Sequence, residues 1–101
     1  MKNQNSDANL EFLYRSFLTL QSAEECRRFL EDLCTDSELL EMSRRLQAAK
    51  MLRANYVYSE IAAQTGLSTA TISRVNRCLK FDGEYGYVSV LEKMEKAAHR
   101  G

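Results

Sequence analysis

The chain has 101 residues, with 14 Lys and Arg balanced by 14 Asp and Glu, 45% apolar residues, no proline and four glycines. That length accommodates one small domain; the apolar share is too high for a disordered polymer, and no apolar run reaches the ~18 residues of a membrane span. Cys26, Cys34 and Cys78 cannot all pair within one chain, form no C-x-x-C element and have only His99 as a histidine neighbour in composition, which excludes a metal-ligand cluster and a disulfide framework. The polar start MKNQNSDANL has no signal-peptide core, so a cytoplasmic protein with packed thiols is expected.

Residues 1–8 are polar and are expected to form a disordered arm, leaving residues 9–100 as a single all-helical domain. Leu10, Leu13, Phe17 and Leu20 then recur with the period of one helical stripe. Ser22-Ala-Glu-Glu25 reads as a capping box that opens a second helix, with Cys26, Phe29, Leu30 and Leu33 on its apolar face. Thr35-Asp-Ser-Glu38 is another capping box. It opens a long third helix, predicted to turn Leu39, Met42, Leu46 and Ala49 inward and to run to about Arg53. Ala54–Tyr58 interrupts that period. A short helix is predicted over about 59–65, a turn at Gly66-Leu67-Ser68, and a helix from Thr69 to about Lys80. Phe81–Gly86, with two glycines and an aspartate, is turn chemistry, and a last helix carries Tyr87, Val90, Leu91, Met94 and Ala98 on one face. Six helices in so short a chain leave little interior, and the apolar faces of the first two are expected to be completed by a second copy.

The balanced total charge hides a segregation. Residues 1–42 carry a net −5, residues 81–101 a net −1, and residues 43–80 a net +6, from seven Lys and Arg against Glu60 alone. A basic module in an acidic frame fits a surface that meets a polyanion, and equally two parts that neutralise each other in a packed monomer or dimer.

The most informative stretch runs over about 58–80 and begins YSEIAAQTGLSTATISRV. Ile61 and Ala62 face inward, Ala62 being small where two helices cross closely. Gly66 suits the positive φ of a sharp helix–helix turn, Leu67 fills the corner, and Ser68 is placed to cap the next helix. In that helix Ile72, Val75 and Leu79 form the inward stripe, while at about 100° per residue Ala70, Ser73, Arg74 and Arg77 point the other way. This is the pattern of a helix-turn-helix whose outer face is small, hydrogen-bonding and cationic. The competing reading is a helical hairpin used for protein contacts.

These residues carry a resemblance. Leu39-Leu-Glu-Met-Ser-Arg-Arg45, Glu60-Ile-Ala-Ala-Gln-Thr-Gly66, Ser68-Thr-Ala-Thr-Ile-Ser-Arg74 and Leu79-Lys80 are similar to the tryptophan repressor superfamily, and within it to the YerC/YecD-type repressor-like proteins. The similarity extends from about residue 10 to 98. It implies an all-α, six-helix fold and an intertwined homodimer in which two recognition helices enter successive major grooves of double-stranded DNA. Thr69, Ala70, Thr71 and Ser73 match the positions that approach base edges, and the outward-face geometry independently supports Ala70 and Ser73. Arg53, Arg74, Arg77 and Lys80 read as phosphate-facing cations that position without specifying, although Arg77 and Lys80 also fit plain solvated helix positions. Ser59 and Ser68 offer hydroxyls and helix N-termini to phosphates.

The resemblance also implies a two-arginine pocket for tryptophan. Arg44 and Arg74 match those arginines without a gap, and Arg45 does so if the register slips by one. Val75 stands where the tryptophan-responsive proteins have a glycine, and Cys78 replaces a pocket serine, losing a hydroxyl. Both departures argue against tryptophan as co-repressor and leave a different small molecule, or none.

Three functions compete. The first is a sequence-specific DNA-binding transcriptional regulator, most simply a repressor that occupies an operator as a homodimer. The second is a protein-interaction module that binds a transcription-related partner through the hairpin. The third, an enzyme, lacks a nucleophile–base pair and a phosphate-cradling glycine loop.

Overall fold

The computed structural model describes residues 4–100, in which six α-helices follow one another without a strand. They are α1 (Gln4–Phe17), α2 (Ala23–Leu33), α3 (Asp36–Arg53), α4 (Tyr58–Thr65), α5 (Thr69–Lys80) and α6 (Gly86–Arg100). The expected all-α, six-helix class therefore holds. Because α1 begins at Gln4, residues 4–8 of the expected disordered arm are helical, while residues 1–3 lie outside the described residues. Nothing in this polar stretch breaks a helix, and Asp7 sits in the first turn, where the unpaired N–H groups favour negative charge. The chain divides into two compact units, one ending at Leu39 and the other beginning at Leu40.

In the first unit, α1 and α2 meet through Phe17 and Phe29, whose rings stand edge to face at 82° with centroids 5.9 Å apart. Of the two predicted capping boxes, the one at Ser22 forms through its hydroxyl and the one at Thr35 is reciprocal. The Ser22 hydroxyl accepts from the Glu25 N–H at 3.1 Å. At α3, the Glu38 N–H donates to the Thr35 hydroxyl (3.1 Å) and the Thr35 N–H donates to the Glu38 carboxylate (2.8 Å), a reciprocal pair that holds the Glu38 carboxyl below its ordinary range. On the surface of α2, Arg27 bridges Glu24 and Glu31.

The second unit has two packed clusters. Ala48, Met51, Ile61, Leu67 and Ile72 form one, with Tyr58 and Ala62 against it; Ala49, Val75 and Leu91 form the other, with Leu79 and Tyr87 against it. Leu52 packs on both. The third helix stops where predicted, and the backbone shows how. Asn55 takes the left-handed conformation (φ 67°), the Tyr56 N–H bonds to the Met51 carbonyl and the Asn55 N–H to the Leu52 carbonyl, the paired bonds of a Schellman stop.

Two expected inward stripes are only partly inward. On α3, Ala48, Ala49 and Met51 are buried, whereas Met42 and Leu46 are exposed; on α6, Leu91 is buried and Tyr87 half-buried, whereas Val90 and Met94 are exposed. The helices of one unit are too few and too short to cover the full width of those faces. No helix among the described residues is long and apolar enough to cross a membrane.

Candidate nucleic-acid interface

The helix-turn-helix is assembled by short-range bonds around Thr65–Ser68. Gly66 ends α4 in the left-handed region (φ 76°), and its N–H donates to the Ala62 carbonyl at 2.9 Å. Buried Thr65 locks the corner from inside: its hydroxyl donates to the Ile61 carbonyl (2.7 Å) and accepts from the Leu67 N–H (3.2 Å). Leu67 fills the corner as a core residue. Ser68 caps α5 by accepting from the Thr71 N–H at 3.1 Å, and its hydroxyl also donates to the Thr71 hydroxyl at 3.1 Å. Thr71 is thereby turned back to the cap. Val57 precedes α4 without a side-chain cap, and Ser59 lies exposed in the first turn of that helix.

Along α5, Ile72 and Val75 are buried, while Thr69, Ala70, Arg74, Arg77 and Lys80 are exposed and Ser73 is half-buried. The outward face expected from helical geometry is thus open to solvent, with Ser73 on its edge. Arg77 and Lys80 occupy the last turn of α5, where unpaired carbonyls favour cations.

Two of the expected phosphate-facing cations have acidic partners. Arg53 donates to the Glu95 carboxylate on α6 through two nitrogens, at 3.3 and 3.4 Å, and its side chain is 27% exposed. Arg77 meets Asp82, just beyond α5, at 2.7 Å. The Asp82 contact has no counterpart in helical-spacing rules, because it depends on how the chain leaves the helix. Gly83 takes part in that exit: a Cβ there would lie 1.9 Å from the Cys78 carbonyl oxygen.

Along the flank of α5 lies a cleft of about 480 Å³ lined by Arg45, Thr71, Arg74, Val75, Cys78 and Tyr87. Of the two arginines weighed from sequence, Arg45 lines this cleft and Arg44 does not, although both side chains are exposed. One residue turns a helical side chain by about 100°, so the two arginines cannot face the same space. Arg45 is also 3.3 Å from Glu41 one turn earlier. Val75 contributes to the cleft wall while packing in the core with Ala49 and Leu91. Tyr87, not singled out for the pocket from sequence, has its phenol pushed up, mainly by burial and further by nearby Cys78, against the opposing effect of Arg45 and Arg74. Among the described residues no group of three His, Cys, Asp or Glu side chains is arranged to hold a metal ion.

Comparisons agree with this architecture. Over 87 residues the chain is 45% identical to the uncharacterized protein YerC of Bacillus subtilis (strain 168), covering 86% of this chain and 83% of that one. Its fold matches the crystal structure of a TrpR-like protein from Eubacterium eligens with a TM-score of 0.82 and 45% identity, over 87% of this chain and 90% of the other. A candidate Trp repressor from Staphylococcus aureus matches at the same TM-score of 0.82 with 42% identity, over 93% and 96% of the two chains. The model of the Trp repressor protein family matches residues 8–95, which takes in the whole helix-turn-helix. With nearly all of its length matched in sequence and in fold, the chain belongs to the Trp repressor protein family, a family of DNA-binding regulators.

Proposed function

We propose that this chain is a sequence-specific transcriptional regulator of the cytoplasm that binds double-stranded DNA as a homodimer and represses by occupying an operator. The observation that carries this reading is the outer face of α5. Thr69, Ala70 and Ser73 are small enough to approach base edges, with hydroxyls at Thr69 and Ser73 and a methyl at Ala70, Arg74, Arg77 and Lys80 flank them, and Ile72 and Val75 anchor the opposite side. A helix meant for burial would not carry that face. Arg74, Arg77 and Lys80 serve the phosphates, together with the exposed hydroxyl of Ser59 and the capped start of α5 at Ser68. Arg53, tied to Glu95, acts chiefly between α3 and α6.

A second copy is supported by the apolar side chains left in solvent in both units, including Phe12, Leu18, Met42 and Met94. Two copies related by symmetry would present two α5 helices to successive major grooves, about 34–36 Å apart. An effector would sit in the cleft of Arg45, Arg74, Cys78 and Tyr87. Its two guanidiniums suit an acidic group, while Val75 and the missing hydroxyl at Cys78 disfavour tryptophan.

The test is selection of bound sites from a random duplex pool at ~0.15 M salt, where nonspecific attraction is already weakened. An enriched inverted repeat with fixed half-site spacing is expected. If no sequence is enriched in plain buffer or in cell metabolite extract, and the protein is folded, the reading fails in favour of a protein-interaction module.

A further inference from the structure

The Asp82 carboxylate lies 2.7 Å from the Arg77 guanidinium, and the two side chains are 53% and 68% exposed. Their meeting is built into the backbone. The N–H groups of Phe81 and Asp82 both donate to the Arg77 carbonyl, at 2.7 and 2.8 Å, so the residue bearing the acid is tied to the residue bearing the cation. The next residue, Gly83, runs so close to the Cys78 carbonyl that even a Cβ would lie 1.9 Å from its oxygen. The helix end gives Asp82 no favourable setting of its own. Unpaired carbonyls at the C-terminus of α5 repel an anion, and the fitting charges there are Arg77 and Lys80. An acid is therefore held by the backbone beside a well-exposed cation of the outer face.

Resting on the DNA-binding reading above, we propose that Asp82 is an internal substitute for phosphate that releases Arg77 only to a fully docked DNA backbone, making Asp82 a specificity-determining residue. A guanidinium already matched by a carboxylate adds little to the diffuse attraction that brings any duplex to the protein. To reach DNA, Arg77 exchanges Asp82 for a phosphate oxygen. A loosely held phosphate competes poorly and is repelled by the carboxylate, whereas a phosphate fixed at bonding distance by groove docking wins, because a solvent-exposed pair is weak and easily opened. Asp82 thus penalises arbitrary duplex more than a docked site without touching a base. Glu95 differs, since Arg53 is less exposed and its pair spans two helices.

The experiment compares wild type, Asp82→Asn, Arg77→Gln and the double variant as full-length chains. Fluorescence anisotropy follows a labelled random-sequence duplex of about 20 base pairs between ~50 and ~200 mM salt, with thermal unfolding to establish that each variant is folded. Asp82→Asn is expected to bind random duplex about two- to fivefold more tightly per chain, the range set by exposed ion pairs. The plot of log affinity against log salt should steepen by about 1 per chain. The gain should be smaller on a selected operator and clearly reduced in the Arg77→Gln background, where only the direct repulsion between carboxylate and phosphate is relieved. Unchanged affinity and slope in Asp82→Asn would overturn the proposal, as would a gain as large without Arg77 as with it. Wild-type binding with no response to Asp82→Asn rejects the role of Asp82 alone. A folded wild type and Asp82→Asn that both ignore duplex at ~50 mM salt reject the DNA-binding reading and this inference with it.

Discussion

Gly66 and Gly83 both resist replacement by alanine, for different physical reasons that stability measurements can separate. At Gly66 the backbone is left-handed (φ +76°), yet a Cβ would meet nothing within 4 Å. The cost of Gly66→Ala is then conformational alone, about 1–2 kcal/mol for an L-residue in that region. Gly66→Asn should lose less, because asparagine visits the left-handed region readily. At Gly83 the obstacle is contact: the added Cβ would lie 1.9 Å from the Cys78 carbonyl oxygen and 2.8 Å from its carbon, both backbone atoms. No rotamer relieves a clash of Cβ itself, so the end of α5 or the segment leading to α6 must move, and the loss should exceed that at Gly66. For a domain of this size 1 kcal/mol corresponds to about 4–8 °C in Tm. Gly66→Ala should therefore lower Tm by about 4–16 °C, followed by circular dichroism at fixed protein concentration because association shifts Tm by mass action. A Gly66→Asn variant as damaged as Gly66→Ala, or a Gly83→Ala variant that melts with wild type, would refute the argument.

Other outcomes follow from the same geometry. Ile72, fully buried, should cost about 2–5 kcal/mol when cut to alanine, read from denaturant unfolding; a loss below ~1 kcal/mol would mean that the first cluster is not packed as described. Glu38 has its folded pKa lowered by the Thr35 N–H and hydroxyl, so its contribution is present above the ordinary carboxylate range and lost as pH falls through the lowered value. The Tm advantage of wild type over Glu38→Gln should accordingly shrink on acidification from about pH 6 to about pH 2, and a constant difference would contradict the cap. Arg53→Ala, which removes a partly exposed ion pair, should destabilise by no more than about 1 kcal/mol and flatten the salt slope of DNA binding less than Arg77→Ala does. Ser73→Val should redistribute preference among selected sites with the salt slope unchanged, whereas a uniform loss over all sequences would assign Ser73 to the backbone-contacting group.

The parts of the fold legible in sequence are those set by neighbours along the chain. The bounds of α5, the caps at Ser22, Thr35 and Ser68, and the left-handed turn at Gly66 all arise within a few residues, where propensity and hydrogen-bond chemistry decide. What escaped depends on partners distant in sequence or on phase. Met42 and Leu46 share the periodicity of a core face, but whether a face is covered is a property of the elements around it. Arg44 and Arg45 are adjacent cations, and only the rotation of α3 decides which one meets the cleft. Asp82 looked like turn chemistry, and its partner appears only once the exit from α5 is built. Gln4 to Ala8 have no apolar repeat to mark a helix, so the start of α1 left no trace in the pattern. In the sequence Thr65 is one polar residue among several before a glycine, although its two bonds fasten the turn.

The two core clusters of the second unit have a mechanical consequence for α5. Ile72 is held in the cluster with Ile61 and Leu67, and Val75 in the cluster with Ala49 and Leu91. Those side chains leave the helix about 60° apart around its axis. Rolling α5 in either direction withdraws one of them from its socket, and Leu52, wedged against both clusters, opposes either displacement. The helix is pinned like a plank on two nails. If α5 reads DNA as proposed, a shift in the base sequence it favours comes from replacing the side chains at 69, 70 and 73 rather than from turning the helix.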